Sequence, residues 1–234
     1  MLQMQNKESW LSIQQALNIN GYAILKGVLT EDECELLKHN YATEKYYRKT
    51  VIMERYRFGA GEYKYFDYPL PEIITDLREQ IYARLAPVAN EWMQNLKIDT
   101  RYPESFSEMQ ALCHQHKQYK ATPLILKYGQ GGHNTLHQDL YGSVYFPMQA
   151  VICLSAPGKD FSGGEFVLAQ QIPRAQSKAI VLNPGKGDMI IFTTSFRPAH
   201  GTKGYYRVHM KHGVSEVHEG ERYTLGIIFH DALN

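Results

Sequence analysis

The segment TPLILKYGQGGHNTLHQDLYG, residues 122–142, marks the point where the chain changes from helix-forming to strand-forming sequence. Its first seven residues are typical of a strand, and the glycines after them allow the backbone to turn tightly into a second extended stretch. In that stretch His137 and Asp139 would share one face of a strand while Gln138 points away. The segment therefore predicts two strands joined by a turn, with two potential metal-binding side chains on one face.

Seven or eight short segments from Thr122 onward are rich in β-branched and aromatic residues and are separated at regular intervals by turn residues. Besides the opening segment they are QAVICLSA, GGEFVLAQ, KAIVLN, GDMIIFTT, YYRVHMKHGVSEV and RYTLGIIFH. Short, evenly spaced strands favour a β-sandwich or jelly roll over alternating β and α units.

The first 120 residues carry mostly helical patterns instead. An apolar periodicity runs from Trp10 to Leu17 and stops at Gly21, which predicts a first helix. Thr30 and Glu33 stand in the positions of a capping box, which predicts the start of a second helix. Between the two, YAILKG is typical of a strand.

Two more helices are expected before the strand-rich half. A long helical pattern extends from Pro71 to Leu96, and Pro87 is expected to kink or split it. PESFSEMQALCHQH predicts a further helix. Together these patterns predict an α+β fold in which the helices pack on one sheet of a jelly roll.

Length and composition bound the architecture and the class of protein. The 234 residues suffice for one full-sized domain, so we expect a single unit over residues 1–234. Within it, residues 1–120 would form a mainly helical support region and residues 121–234 a jelly-roll core. The formal net charge of +1 does not favour a polyanion such as nucleic acid as partner, although a local basic patch is compatible with it.

Cysteine usage and hydropathy suggest a reducing, aqueous compartment. Cys34, Cys113 and Cys153 are too few and too widely spaced for a disulfide framework or a thiolate zinc site. The first fifteen residues lack the pattern of a signal peptide, and no apolar run approaches the roughly 18 to 20 residues that cross a bilayer. We therefore expect a cytoplasmic protein without a membrane partner.

A metal site at His137 and Asp139 requires a third donor, because a single His-x-Asp pair is a weak signal in a chain with ten histidines. Five downstream histidines could supply it: His200, His209, His212, His218 and His230. Only His212 is followed ten residues later by a basic residue, Arg222. An arginine offers a bidentate fork to the carboxylate of a bound dianion.

Four ordered motifs, YGQGGHNTLHQD, GGEF, KGDMIIF and HGVSEVHEGERYTL, resemble those of the Fe(II)- and 2-oxoglutarate-dependent oxygenases over about 110 residues. Across essentially the whole chain, the sequence is similar to a bacterial family of that superfamily, provisionally described as oxygenases acting on damaged nucleic acid. The resemblance implies a double-stranded β-helix, which is a jelly roll with the active site inside its mouth. It also implies that Fe(II), 2-oxoglutarate and O2 together hydroxylate a C–H bond, with release of succinate and CO2.

Particular residues take on roles through this resemblance. It implies three iron ligands that are also the catalytic centre: His137, Asp139 and His212. It further implies three contacts to 2-oxoglutarate: Arg222 to the distal carboxylate, and Thr224 and Tyr128 through their hydroxyl groups.

The sequence also contains candidate substrate contacts. In ERYRFGAGEYKYFDYPLP, residues 54–71, cations alternate with aromatic residues, which suits either a substrate lid or a tyrosine-rich strand pair packed on the barrel. The candidates are Arg55, Arg57, Tyr63, Tyr65, Asn134 and Tyr141. The most basic stretch, residues 195–212, contains Arg197, Lys203, Arg207 and Lys211 and is the segment best suited to a polyanion.

Two groups within the superfamily share parts of the motifs. LHQD followed by RYTL resembles the AlkB-type dealkylases, but Ile228 stands where those enzymes carry a second arginine. YGQGG and the spacing from His212 to Arg222 resemble the prolyl hydroxylases, but Asn134 replaces their aromatic residue before the first ligand.

Three hypotheses follow from the sequence. The first is a 2-oxoglutarate-dependent dioxygenase that hydroxylates a small molecule or an amino-acid side chain of a protein. The second is an oxidative dealkylase or hydroxylase of nucleic-acid bases or nucleotides. The third is a catalytically silent jelly-roll binding module.

Overall fold

The computed structural model describes residues 7–233, which form helices, short strands and connecting turns. The helices are α1 (Lys7–Asn20), α2 (Glu31–Asn40), α3 (Glu72–Asn95) and α4 (Phe106–Gln115), with short 3-10 turns at Glu44–Tyr46 and Met53–Tyr56.

The strands of the amino-terminal half are β1 (Tyr22–Leu25), β2 (Tyr47–Ile52), β3 (Gly59–Ala60) and β4 (Glu62–Phe66). Those of the other half are β5 (Leu124–Tyr128), β6 (His133–His137), β7 (Met148–Cys153), β8 (Phe161–Gly163), β9 (Phe166–Gln171), β10 (Lys178–Leu182), β11 (Met189–Thr193), β12 (Phe196–Gly201), β13 (Gly204–Val214), β14 (Val217–Gly220) and β15 (Arg222–Ile228).

The strands form two main antiparallel sheets. The larger has the order β1-β11-β7-β15-β5-β4-β2. The smaller has the order β10-β9-β13-β6-β3, with β12 paired to β13, and β14 pairs with β8 in a separate ribbon. Strands that are far apart in the sequence lie side by side, such as β7 and β15; this arrangement is typical of a jelly roll and confirms the predicted fold class.

The helices cover one face of the larger sheet. The largest apolar cluster joins α3 to that sheet through residues such as Leu85, Trp92, Ile152 and Leu225. Trp92 and Leu85 are completely buried, and burial of each side chain of this size stabilises the fold by about 1.5 to 3 kcal/mol. The other face of the sheet lines the interior of the jelly roll, so the helices pack on the sheet without filling that interior.

The predicted helix ends are largely confirmed. In α2 the Thr30 hydroxyl accepts from the Glu33 amide while the Glu33 carboxylate accepts from the Thr30 amide, which is the expected capping box. We expected Pro87 to kink or split α3; the helix continues through Pro87, so of these two alternatives the split is wrong. Pro87 and Ala83, whose carbonyl loses its usual partner, both lie on the exposed face, where water can satisfy that group.

The amino-terminal half also contributes strands to both sheets. All seven segments quoted from the carboxyl-terminal half form strands, and YAILKG forms β1. However, β4 is hydrogen-bonded between β2 and β5, so residues 62–66 belong to the larger sheet. The tyrosine-rich segment is therefore a strand of the barrel itself over that range, and β3, from the same segment, pairs with β6 in the smaller sheet, so the expected strand pair is not formed.

One buried side chain fixes the loop that follows the predicted metal ligands. The side-chain nitrogen of Gln118 donates to the backbone carbonyl groups of Tyr141 and Val144 at 3.0 and 2.8 Å. Its side-chain oxygen accepts from the backbone amide of Val144 at 2.9 Å. Gln118 is fully buried, so these bonds are made away from water. They tie the loop after Asp139 to the end of α4.

Within residues 7–233, no helix combines the length and apolar character that crossing a membrane requires. The longest, α3, has charged residues on its outer face and its apolar residues buried against the sheet.

Candidate metal centre

The pairing of β6 with β13 brings two histidines together. His212 lies directly opposite His137 in the register of these antiparallel strands, and their ring centroids are 4.2 Å apart. The next residue, Gly213, has no room for a side chain, since a Cβ atom would lie 2.6 Å from the carbonyl oxygen of Asn134. Glycine at this position therefore permits the close approach of the two strands that the histidine pair requires.

Asp139 completes a three-residue cluster. Its Oδ1 lies 3.4 Å from Nε2 of His137, and its Oδ2 lies 3.2 Å from Nε2 of His212. One ligand atom from each of the three residues lies within 4.8 Å of the others. This is the donor set of a 2-His-1-carboxylate site, which binds iron on one face and leaves other positions open.

Neighbouring groups orient the cluster. His137 Nδ1 lies 2.7 Å from the carbonyl oxygen of Thr135, which turns Nε2 toward the cluster. The Tyr141 hydroxyl donates to Asp139 Oδ1 at 2.8 Å, and the Gln149 amide donates to Oδ2 at 3.1 Å. Both carboxylate oxygens are therefore held by hydrogen bonds, as in metal sites whose ligands are positioned by a surrounding polar shell.

Charges within the cluster favour an ionised aspartate. Burial by itself raises the pKa of Asp139, but the hydrogen bonds and charges of His137 and His212 hold it well below its usual range. Burial lowers the pKa of His212, only partly offset by Asp139. For His137 burial acts in the same direction but is outweighed by Asp139 and the Thr135 carbonyl, so its pKa is raised. A metal requires the ionised aspartate and neutral imidazoles.

Gln138 points away from the cluster, as predicted, but β6 ends at His137, so Gln138 and Asp139 lie just beyond the strand that was expected to carry them. The side-chain nitrogen of Gln138 donates to the carbonyl groups of Ser195 and Met210 at 3.0 and 2.8 Å. It thereby ties the segment that carries two of the clustered residues to β13.

The cluster lies at the wall of a cavity of about 270 Å3 inside the jelly roll. Apolar and aromatic residues, among them Phe166 and Phe192, form most of the wall. Arg222, Thr224 and Tyr128 also line it. In the larger sheet Arg222 pairs with Tyr128, and Thr224 lies two residues further along the same face.

Arg222 is a buried cation without an anionic partner. Its side chain is only 2% exposed, and its Nε and Nη1 atoms make no hydrogen bond. No carboxylate within residues 7–233 lies within 4 Å of it; its guanidinium instead lies 5.6 and 5.8 Å from the ring centroids of Tyr128 and Phe161. Burying a charge with unmet hydrogen bonds is costly, so this arrangement fits an anion that enters with a ligand.

The residues therefore fit both groups that the sequence resemblance implies. The three clustered side chains provide nitrogen and oxygen donors suited to Fe(II). The unmet donors of Arg222, in the same cavity, suit the distal carboxylate of 2-oxoglutarate.

The other candidate residues divide into two sets. Tyr63, Tyr65, Asn134 and Tyr141 line the cavity. Arg55 and Arg57 are exposed on the turn before β3 and do not line it. The competing histidines do not join the metal cluster, which among the described residues contains only His137, Asp139 and His212.

Sequence reasoning missed Gln149 and the two phenylalanines beside His212. Gln149 is 3% exposed and stands at the start of the mainly apolar segment QAVICLSA, where a polar residue beside an apolar run was a usable signal. Phe192 lies with its ring centroid 4.8 Å from that of His212, and Phe166 stacks nearby at 6.0 Å. Only the pairing of β9 and β11 with their neighbours places these rings at the cluster.

Solved structures with low sequence identity share this architecture. A prolyl-4-hydroxylase from Pseudomonas putida aligns with a TM-score of 0.54 and 14% identity over 95% of this chain and 98% of its own. A prolyl hydroxylase from Trichoplax adhaerens, in complex with a hypoxia inducible factor peptide fragment, aligns with a TM-score of 0.60 and 13% identity over 96% and 90%. An oxidoreductase of the 2OG-Fe(II) oxygenase family from Burkholderia pseudomallei gives 0.55 and 17% over 98% and 94%. The fold is that of the 2OG-Fe(II) oxygenases.

A family match and two relatives of higher sequence identity identify the family within this class. Residues 61–232 match the Oxygenase-NA family, described as an oxygenase catalysing oxidative methylation of damaged DNA. Uncharacterised proteins of Mycobacterium tuberculosis strains H37Rv and CDC 1551 / Oshkosh are each 42% identical over 167 residues, covering 71% of this chain and 72% of the relative. The chain belongs to the Oxygenase-NA family and is an oxygenase. Its expected cofactors, Fe(II), 2-oxoglutarate and O2, are those of this class, and the hypothesis of a silent binding module is set aside.

Removing the Tyr141 hydroxyl tests how the carboxylate is positioned. Tyr141→Phe should weaken Mn(II) binding by roughly tenfold or more, because Asp139 Oδ1 loses its hydrogen-bond donor. The affinity can be measured by titrating Mn(II) and following free metal by electron paramagnetic resonance. Tyr145→Phe removes a hydroxyl outside the cavity and should leave the affinity unchanged; equal affinities for both variants would rule out the positioning role.

Proposed function

We propose that the protein is a dioxygenase that uses Fe(II) and 2-oxoglutarate to hydroxylate a C–H bond of a small molecule or of an amino-acid side chain. The observation that carries this proposal is the placement of the unpartnered, buried Arg222 in the same cavity as the cluster of His137, Asp139 and His212. An iron site alone would not need this cation. A dianionic cosubstrate that binds the metal at one end would need it at the other.

In this proposal the side chains bind and orient rather than exchange protons. His137, Asp139 and His212 hold the iron, and Tyr141 and Gln149 fix the carboxylate. Fe(II) and 2-oxoglutarate, when bound, supply the oxidising chemistry in which O2 is consumed and succinate and CO2 are released.

The distal end of 2-oxoglutarate is assigned to the wall of the cavity that the larger sheet forms. Arg222 pairs with its carboxylate, while the Thr224 and Tyr128 hydroxyls offer further hydrogen bonds. Both hydroxyl-bearing residues are almost fully buried, so their bonds would form away from water and be correspondingly strong.

The walls of the cavity favour a small or side-chain substrate. Among the described residues, no lysine and no arginine other than Arg222 lines it, and apolar and aromatic groups form most of its surface. Such a lining suits a compact organic group near the iron.

Nucleic acid is the second candidate, because the family description names damaged DNA. Oxidation of a C–H bond on a methylated base would act on its methyl group, which corresponds to the dealkylase hypothesis. In the basic stretch Lys203, Arg207 and Lys211 are exposed, but Arg197 is 8% exposed and donates to the Pro198 carbonyl and to Gln170. Three exposed cations remain for contacts to phosphate groups.

Activity and metal retention should depend on the same histidine. Wild-type protein should form succinate from 2-oxoglutarate only with Fe(II) present, and His212→Ala should lose both this turnover and bound iron, because a third of the donor set is removed. Iron is measured after desalting under anaerobic conditions, and succinate by chromatography. His200→Ala and His218→Ala are matched controls, and loss of iron in either of them instead would refute the ligand assignment.

The requirement for 2-oxoglutarate should rise when Arg222 is truncated. Arg222→Ala removes a charged hydrogen-bond partner, with an expected loss of about 2 kcal/mol or more, which is roughly a thirtyfold higher apparent constant for 2-oxoglutarate. The constant is obtained from succinate formation against 2-oxoglutarate concentration. Arg207→Ala, which removes an exposed arginine, is the control; an unchanged constant for Arg222→Ala would mean that the carboxylate binds elsewhere.

A salt titration separates the two substrate classes. If nucleic acid is the substrate, single-stranded oligonucleotide should bind at low salt and weaken steeply as salt rises, because each phosphate contact releases counterions. Fluorescence anisotropy with a labelled oligonucleotide measures this. Replacement of Lys203 and Lys211 by glutamine should reduce the slope, whereas absence of binding at low salt would exclude this class.

A further inference from the structure

A second cavity adjoins the first and extends to the edge of the larger sheet. It has a volume of about 230 Å3 and shares Phe58, Tyr63, Tyr65 and Tyr141 with the cavity that holds the metal cluster. These four aromatic residues therefore form a common wall between a compartment at the metal and a compartment further out. We call this second cavity the outer compartment.

The sheet itself connects the two compartments. Leu124 of β5 lies opposite Tyr65 of β4, and Tyr65 lies opposite Lys49 of β2, which is the last strand of the sheet. Residues opposite one another in neighbouring strands share a face. A path from the metal cavity over Tyr65 therefore ends at β2.

Two cations stand at this outer end. Arg48 and Lys49 line the outer compartment, and no acidic residue among those described does so. Burial lowers the pKa of Arg48, and the charges of Asp67 and Asp231 offset this only in part. However, no carboxylate of residues 7–233 lies within 4 Å of Arg48, and Asp231 is already paired with Arg78 at 2.8 Å.

Arg48 is held in place while most of its donors stay free. Its Nε donates to the carbonyl oxygen of Ala121 at 2.9 Å, and its guanidinium carbon lies 4.7 Å from the ring centroid of Tyr65. Within the described part of the chain, its two terminal nitrogens have no hydrogen-bond partner, and they form the fork that binds a carboxylate or phosphate. A cation that is both positioned and unpaired is suited to recognising an anion at low entropic cost.

The same wall is linked to the metal ligands. The Tyr65 hydroxyl donates to the Tyr141 hydroxyl at 3.2 Å, and Tyr141 donates to Asp139 at 2.8 Å. Arg48, Tyr65, Tyr141 and Asp139 thus form a continuous series of contacts. A molecule lying along the tyrosines would have one end near the metal and the other beside Arg48.

We propose that the outer compartment is a substrate subsite in which Arg48, assisted by Lys49, binds an anionic group of a small-molecule substrate whose apolar or aromatic part lies against Tyr63 and Tyr65. This inference rests on the proposed function, because it places the reacting C–H bond at the metal cluster. The anionic group is a carboxylate or a phosphate monoester, since both match the guanidinium fork. The size of the outer compartment suits a single such group with a short body rather than a polymer.

The test compares charged and neutral probes with the same body. Full-length protein is titrated calorimetrically with 3-phenylpropionate and 3-phenylpropionamide, and with thymidine 5′-monophosphate and thymidine. At least one charged probe should bind more tightly than its neutral counterpart, and Arg48→Gln should weaken that charged probe by about tenfold or more without changing the neutral one. The pair that responds identifies the anion as carboxylate or phosphate.

Three variants make the result specific. Arg48→Lys keeps the charge and should retain part of the preference, which separates loss of charge from loss of folding. Arg55→Gln removes an exposed arginine outside both cavities and should have no effect. Arg222→Gln should leave the charged probe bound, because the anionic group of the probe is assigned to Arg48 and not to Arg222.

Several outcomes would overturn the proposal. They are equal binding of charged and neutral probes, absence of binding by both charged probes, unchanged binding in Arg48→Gln, and loss in Arg222→Gln instead. The titration contains neither iron nor 2-oxoglutarate, so it does not depend on turnover. Failure of the proposed function would appear separately, as absence of Fe(II)-dependent succinate formation by the wild-type protein.

Discussion

The site depends on the pairing of β6 with β13, which sets His212 opposite His137. A slip of one residue in this pairing would turn one imidazole to the opposite face of the sheet, because side chains alternate along a strand. Two features support the register: Gly213 allows the backbones to approach closely, and Gln138 bonds to the carbonyl of Met210 on β13. Asp139 lies two residues after His137, at the start of a loop that is fixed by the hydrogen bond from the Gln118 side chain to the Tyr141 carbonyl.

Two buried arginines differ in whether the protein itself provides partners for their hydrogen-bond donors. Arg78 is completely buried but pairs with Asp231 and also donates to the Ile228 carbonyl and the Tyr68 hydroxyl, so its donors are met within the protein. It joins α3 to the end of β15. Arg222, at the start of the same strand, has two nitrogens without partners. Leaving a buried cation without partners is costly, so the unmet donors of Arg222 are best explained by a ligand that binds to them.

Much of the secondary structure could be predicted, and each failure has a physical cause. Capping residues at Thr30 and Glu33, and the glycine at position 21, end or begin helices through contacts within a few residues, so the sequence signal is complete. The strands β8 and β14 are only three and four residues long and lack a usable periodicity. The continuity of α3 through Pro87 depends on which helix face meets water, and that is decided by packing on the sheet.

The order of the motifs and the types of donor were properties of the sequence by itself: the spacing of His137 and Asp139 predicted that both face one way, and the resemblance of the motifs implied His212 and Arg222 as their partners. Tertiary structure alone decided which polar residues serve that site. Gln149 and Arg48 come from β7 and the edge strand β2, and sheet register alone brings Gln149 within hydrogen-bond distance of Asp139 and Arg48 within stacking distance of Tyr65. Such contacts between remote positions leave no periodic trace in a single sequence.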